Sequence, residues 1–475
     1  TLDNRSQFWP RGKVLGGSSS INAMVYVRGQ PGDFDDWAAA GNPGWTFREV
    51  LPYFRKLEDH PFGAPEFHGV GGPVGVSDVS AKVHPLCHSF LKACDVLGVA
   101  RTRDFNGAQS EGSGLWEVTI RNGVRVSASA AYLRPIWGRP NLEIRMRARA
   151  TRVLFDGRRA TGVEFIESGR KQVLNARREV IVSGGAINSP QLLELSGVGD
   201  AGILRRFGIP VIVDSPGVGR GLQDHLAVNY YYRSRVRTLN NELAPFLGKV
   251  SAAIRYVLGG RTGPLAMSVN QAGAFLRSRA GLARPNMHIY FNPASYSTTI
   301  LGSTRRLMRP DPYPGFLMSF NTCRPVSRGT IHIRSLDPLE SPAIQPNALS
   351  ASEDVRDVCE GSRLLRRIAA AEPLAGIIEA EREPGSTVTS DEQILADFRA
   401  RSGSVFHACG TCAMGSEVRD SVLDPRLRVR GVTALRVVDA SAFPNVTSGN
   451  TNAPVMMLAE KAADLILEDN RVPQA

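Results

Sequence analysis

Arg11-Gly12-Lys13-Val14-Leu15-Gly16-Gly17-Ser18-Ser19-Ser20-Ile21-Asn22 is a glycine- and serine-rich turn set between cations. The apolar run Ala23-Met24-Val25-Tyr26-Val27 follows it, and Arg28-Gly29 closes the stretch. Glycine lets a backbone come close to a ligand, and clustered N–H and hydroxyl groups suit an anionic, oxygen-rich one. Taken alone, the run also reads as an ordinary surface loop. The rest of the chain decides between the two readings.

A chain of 475 residues can bury a large core and has room for two interleaved domains. With 42% hydrophobic and 21% charged residues it is globular, which excludes disordered and fibrous classes. No uninterrupted apolar run approaches the ~20 residues needed to span a bilayer. The net charge of +12 raises the question of nucleic acid. The arginines are scattered, however (Arg145, Arg147, Arg149, Arg152, Arg158, Arg159), with acids between most clusters and no aromatic stacking pattern, so a solvated surface is the better reading and no nucleic-acid partner is expected. Six cysteines include Cys409 and Cys412 at C-x-x-C spacing, but a thioredoxin-like context is missing. A reduced, buried set fits better and points to a cytoplasmic setting, with peripheral membrane association left open.

Strand and helix signals alternate along the chain. Asn141–Ile144 and Thr151–Phe155 read as strands, with Asp156-Gly157 as a hairpin turn before Gly162–Ile166. Glu179–Ser183 is a β-branched run broken by Gly184-Gly185, and Ser189-Pro190 signals a helix that Gly197 stops. Asn229–Tyr232 and Asn286–Phe291 fit strands of an antiparallel sheet, Gly329–Arg334 alternates with period two, and long loops are expected between Asn292 and Pro314. Helices are expected over Asp354–Ala371, Asp391–Ser402 and Pro454–Glu468, with a strand at Leu435–Asp439. Three regions result: 1–225, 226–404 and 405–475.

A dinucleotide fingerprint is the first motif to test for. Gly217-Val218-Gly219-Arg220-Gly221 follows an apolar strand, but the third glycine would fall on Leu222 and no helical pattern begins there. That segment continues as Gln223-Asp224-His225. Four further strings stand out: Gly184-Gly185-Ala186-Ile187-Asn188-Ser189-Pro190; Ser327-Arg328-Gly329; Phe406-His407-Ala408-Cys409-Gly410-Thr411; and Val437-Val438-Asp439-Ala440-Ser441 with Ser448-Gly449-Asn450-Thr451-Asn452-Ala453-Pro454. Together with the opening run, in this order, they resemble the glucose–methanol–choline (GMC) family of flavin oxidoreductases, in its choline dehydrogenase-like and bacterial alcohol dehydrogenase branch. The resemblance covers the chain from Arg11 to about Glu468. Gly221 stands where the family usually has asparagine.

The resemblance implies a mixed α/β fold, with an FAD-binding Rossmann-like domain interleaved with a substrate domain built on an antiparallel sheet. On that basis 1–225 belongs to the FAD-binding region, 226–404 mainly to the substrate domain, and 405–475 returns to the FAD domain. It also implies oxidation of a primary alcohol to an aldehyde, with hydride transfer to flavin N5. His407 matches the family's base, and a neutral imidazole suits removal of the hydroxyl proton. Asn450 matches the second catalytic position and can hydrogen-bond the substrate oxygen. His225 reads as structural. Ser18, Asn22, Ala23 and Val25 match positions contacting the flavin and its pyrophosphate; Ala150 matches a backbone contact to adenine; Asp439 and Ala440 match phosphate contacts. Asn452 and Ala453 match positions near the flavin ring, where a helix start favours negative charge. Ile21 replaces the histidine that some choline-oxidising relatives bond to the flavin, so FAD is expected to be non-covalent. No metal is expected. The family's N-terminal G-x-G-x-x-G unit does not precede Arg11 in this sequence, and a lost start with an exposed sheet edge is the expectation. The alternatives are a flavin-free inactive remnant and a non-redox, hydroxynitrile lyase-like activity. The alcohol, the electron acceptor (oxygen, quinone or another carrier) and the oligomeric state stay open.

Overall fold

The computed structural model describes residues 2–3, 5–63, 66–301, 305–417 and 420–471. The fold is mixed α/β, arranged around two principal apolar cores. One gathers Phe34, Trp37, Trp45, Phe54 and Phe443 with Leu193, Val437 and Met457. Trp37 and Trp45 have no exposed surface. Burial of each such indole contributes on the order of 4–6 kcal/mol by transferred area. The helices Phe47–Leu57 and Asn452–Asp469 pack across this core. Phe47–Leu57 starts in a capping box formed by Thr46 and Glu49, which satisfies two otherwise orphaned donors.

The second core surrounds a seven-stranded sheet. Its main path runs Ile378–Glu383, Leu226–Ser234, Gly315–Thr322, Met287–Asn292, Ala272–Leu276, Gly112–Leu115, and the short strand Gly403–Ser404 also pairs with Leu226–Ser234. Every pairing in it is antiparallel. Met287–Asn292 and Gly315–Thr322 are buried at every position, and their alternate residues Met287, Ile289, Phe291, Phe316, Met318 and Phe320 face this core. The expected antiparallel sheet is therefore present. It also recruits Gly112–Leu115 from the 1–225 region, so the two regions interlock rather than follow each other.

The other half contains short parallel pairings. Val180–Val182 lies parallel to Leu435–Val437, and Val198–Gly199 to Val213–Asp214. A three-stranded sheet, Ala148–Asp156, Arg159–Glu167 and Arg170–Asn175, contains the expected hairpin at Asp156-Gly157.

Three expectations differ from the structure. Asn141–Ile144 forms no strand: the Arg139 carbonyl accepts the Leu142 N–H in a turn, and strand pairing begins only at Ala148. The helix expected from Ser189 starts a turn earlier and spans Gly185–Leu195, with Pro190 inside it. Pro190 cannot donate to the Ala186 carbonyl, and the Thr411 hydroxyl donates to that carbonyl instead, at 2.6 Å. The stretch of loops expected between Asn292 and Pro314 contains the hairpin Tyr296–Leu301 with Arg305–Pro310.

Candidate active site

His407 owes its position to strand pairing. Gln223 and Cys409 exchange backbone hydrogen bonds as an antiparallel bridge, so His225 lies directly across from His407. The register then slips, because Leu226 pairs with Ser404. Two residues, Val405 and Phe406, are thus bulged out between the pairs. Phe406 takes a left-handed φ of 71°, a conformation that costs a bulky residue about 1–2 kcal/mol. Asp224 and Ser404 hold the bulge. The Ser404 hydroxyl donates to one Asp224 oxygen, the His407 backbone N–H donates to the other at 2.7 Å, and the Phe406 N–H donates to Ser404 Oγ at 2.9 Å. The bulge aims the His407 ring at His225 on one side and Asn450 on the other.

The hydrogen-bond partners assign the protons. His225 Nε2 lies 2.9 Å from the Cys323 carbonyl, which only accepts, so Nε2 carries a hydrogen. In neutral His225 the Nδ1 is then an acceptor. It lies 3.0 Å from His407 Nδ1, which must donate. His407 Nε2 is left as an acceptor, and the Asn450 amide nitrogen donates to it at 3.1 Å. The Asn450 Oδ1 is buried with no hydrogen-bond partner. Beyond the pair, the Tyr290 hydroxyl lies 3.1 Å from His288 Nδ1.

Electrostatics keep the two facing imidazoles neutral. Burial pulls His407 well below the ordinary histidine value, helped by His225 and the Arg11 cation. Burial takes His225 down to about 4, with Arg324 acting in the same direction. Burial pushes Asp224 up to about 6, against the hydrogen bond from Ser404, the Arg11 charge and the N–H groups it accepts. A buried neutral imidazole with a fixed tautomer has the chemistry that a general base needs.

The other residues singled out in the sequence fall into four groups. Val25, Asn22 and Ala23 lie on the segment that leads into the site. Val25 is buried with Trp116, Tyr290 and Cys323; Asn22 Oδ1 accepts from the Met24 N–H and Arg125; and the Ala23 carbonyl accepts from Ser268 at 2.7 Å. Ser18 is exposed in the short helix Gly17–Ser20 and accepts from the Gly12 N–H. Gly449 brings this segment against the active-site loop, since a Cβ there would meet Val27 at 2.4 Å.

Asp439 and Ala440 sit beside the start of the helix Gly185–Leu195. The Asp439 carboxylate accepts from the Gly185 N–H, the Ser189 hydroxyl and the Ser441 N–H. The Ala440 carbonyl accepts from the Gly410 N–H, which ties this loop to the His407 strand. Asn452 and Ala453 open the helix Asn452–Asp469, and Thr451 offers it no side-chain cap. That N-terminus is therefore available to an electron-rich ligand. Ala150 is exposed on the separate three-stranded sheet, at a break in its register.

Sequence reasoning missed the roles of Asp224 and Cys323 and classed His225 as structural. Gln223-Asp224-His225 was the available signal, but its meaning rests on a strand register that pairs residues 182 apart. The C-x-x-C spacing leads nowhere chemical: Cys409 and Cys412 are free and buried, and burial pushes both thiols up.

Family profiles described as GMC oxidoreductase match residues 1–227 with an N-terminal part and 325–459 with a C-terminal part. The mitochondrial choline dehydrogenase of Mus musculus is 44% identical, over 99% of this chain and 79% of its own length. An "alcohol dehydrogenase [acceptor]" of Pseudomonas putida is 40% identical, over 98% of this chain and 83% of its own length. A variant of the formate oxidase of Aspergillus oryzae, studied for modification of its FAD, superposes with a TM-score of 0.88 at 26% identity, over 97% of this chain and 85% of that one.

Proposed function

Because the chain belongs to the GMC oxidoreductase family, as the profile matches establish, we propose that it oxidises a neutral primary alcohol to the aldehyde, with His407 as the base. It is a flavoprotein oxidoreductase acting on CH–OH donors, with FAD as its cofactor. The residues present suit that group. The orphaned Asn450 Oδ1 and the uncapped start of Asn452–Asp469 leave polar groups without a side-chain partner next to His407.

The observation that carries the reading is the pairing of His407 Nε2 with the Asn450 amide at 3.1 Å. One group is an acceptor and the other a donor. An alcohol hydroxyl, which both donates and accepts, completes the pair: its proton goes to His407 Nε2, and its oxygen accepts from Asn450 Nδ2. As the proton arrives, His407 becomes an imidazolium whose Nδ1–H donates to His225. FAD, when bound, supplies the hydride acceptor for the carbon bearing that hydroxyl. Ser18, Asn22, Ala23 and Val25 would line its covering segment, Ala440 its phosphates, and Asn452 and Ala453 the ring end, where the helix start favours negative charge. Asp439 would act through the helix start it holds, and Ala150 through its backbone at the adenine end.

Charge favours a neutral alcohol over a quaternary ammonium one. Arg11 acts on His407 and Arg324 on His225, and both repel a cation, with Arg324 also facing Asp33 at 3.9 Å. Asp224 is already engaged by Ser404 and the His407 N–H. The test is anaerobic flavin reduction on adding a primary alcohol or choline. Wild-type protein should bleach faster with the alcohol. His407→Ala should lower the rate by about 10²–10⁴-fold with FAD content unchanged. A loss below about tenfold would refute the base assignment, and aldehyde formed without bleaching would indicate lyase chemistry.

A further inference from the structure

We propose that the helix Phe246–Val257, with the turn that follows it, is a docking surface for an anionic lipid bilayer. The helix faces the wrong way for a core element. Of its twelve residues, Ala252 is the buried one. Phe246 and Leu247 are each 78% exposed, Ile254 52%, Val257 72% and Leu258 80%. Phe246, Val250, Ile254 and Val257 follow helical spacing along one stripe, and Leu247 and Leu258 widen it. Leu265, 51% exposed, extends the apolar surface past the turn. Monomeric proteins ordinarily keep contiguous apolar patches to roughly 300–600 Å² at most, and those at the upper end are usually binding surfaces.

The segment is anchored, so its exposure is not that of a loose arm. Arg255 pairs with Glu242 at 2.7 Å, and Met267 packs with Val79, Val118 and Ile120. The Ser268 hydroxyl donates to the Ala23 carbonyl at 2.7 Å. Docking on this face therefore brings the segment expected to cover the flavin to the membrane surface.

Charge selects the occupant. Between residues 235 and 261 stand Arg235, Arg237, Lys249, Arg255 and Arg261 against the single acid Glu242, five minus one giving +4. Arg255 is spent on Glu242, and the other four cations are exposed. A second copy packed by twofold symmetry would set this excess against itself. An anionic bilayer accepts it, at about 1 kcal/mol per cation near the surface, while the apolar stripe enters the headgroup boundary. No helix among the described residues is long and apolar enough to cross a membrane, so the attachment lies on the surface.

The test is co-sedimentation of the flavin-loaded chain with vesicles of phosphatidylcholine alone and of phosphatidylcholine containing about one-third phosphatidylglycerol. Binding should require the anionic lipid and weaken with added salt. A Phe246→Asp, Leu258→Asp double variant, altered only at exposed positions, should lose about tenfold or more of the bound fraction with flavin content and far-UV dichroism unchanged. The proposal is overturned if wild-type protein stays in the supernatant with both vesicles, or if the double variant binds as well as wild type. It is equally overturned if size-exclusion chromatography with light scattering shows a wild-type dimer that the double variant converts to monomer, since a second copy then covers the face.

Discussion

The Nδ1 atoms of His225 and His407 face each other at 3.0 Å, and a single proton lies between them. The Cys323 carbonyl decides which ring owns it. Because His225 must present its Nε2–H to that carbonyl, His407 is the donor, and its Nε2 is left basic where the substrate hydroxyl would sit. His225 acts as a positioning residue that fixes a tautomer.

Replacing His225 by alanine removes the acceptor for the His407 Nδ1–H and frees the ring to take the other tautomer. In hydrolases, loss of tautomer control of this kind costs orders of magnitude in turnover. We expect kcat to fall by about 10²-fold, with KM changed far less, since the substrate contacts proposed above are His407 and Asn450. His225→Gln, which keeps an acceptor, should recover part of the loss. Equal kcat in wild type and His225→Ala would mean that the contact is packing alone.

Substituting Asn450 by aspartate should move the acid limb of the pH–rate profile. Burial first, then His225 and the Arg11 charge, hold His407 below the ordinary histidine value, so the proposed base stays neutral into mildly acidic solution. A carboxylate at position 450 favours the imidazolium and raises that pKa. Activity lost on acidification should therefore disappear at higher pH in Asn450→Asp than in wild type, with a shift of about 1 unit or more. A shift to lower pH, or none, would show that Asn450 does not face the base.

Flavin attachment can be read in a single precipitation. Ile21, 54% exposed at the end of the short helix Gly17–Ser20, offers no nucleophilic nitrogen for a covalent bond to the flavin. Acid precipitation of purified protein should release essentially all the yellow absorbance into the supernatant. Colour retained in the pellet would require a different attachment residue.

Local pattern carried much of this molecule. The β-branched run at Val180–Val182, the hairpin at Asp156-Gly157 and the helices near 354, 391 and 454 were legible because each depends on neighbours in sequence. What stayed hidden was register. Nothing within a few residues of Gln223-Asp224-His225 says that it pairs across Val405–Cys409, or that the two-residue bulge at Phe406 turns His407 towards it. Pro190 misled for a related reason: it looks like a helix start, and it is tolerated inside one because Thr411, 225 residues away from Ala186, donates to the carbonyl left free. Asn141–Ile144 failed as a strand for want of a partner, which propensity does not report.

His68 should make stability depend on alkaline pH. Its ring lies between two carboxylates, with Nδ1 3.0 Å from Glu58 and Nε2 2.9 Å from Asp104, and it stacks on His60 at 3.7 Å between ring centroids. Arg28 shares Glu58 at 2.5 Å, and the Tyr26 hydroxyl donates to the same carboxylate, so the network is tied to the segment that approaches the active-site loop. Burial opposes the charge on His68, but the hydrogen bonds to Asp104 and Glu58 win and push it up to about 9 from 6.5. A group whose folded pKa lies above its unfolded one contributes in full below the unfolded value and loses that contribution as pH rises through the folded one. Stability should therefore drop between pH 6.5 and about 9. The expected loss is about 1–3 kcal/mol. Glu58 and Asp104, both held below their usual range, act only at the acid end and leave this window to His68. Thermal melts across the window should show the decline in wild type and little of it in His68→Gln, whose neutral side chain cannot titrate. An identical decline in both proteins would place its origin outside this network.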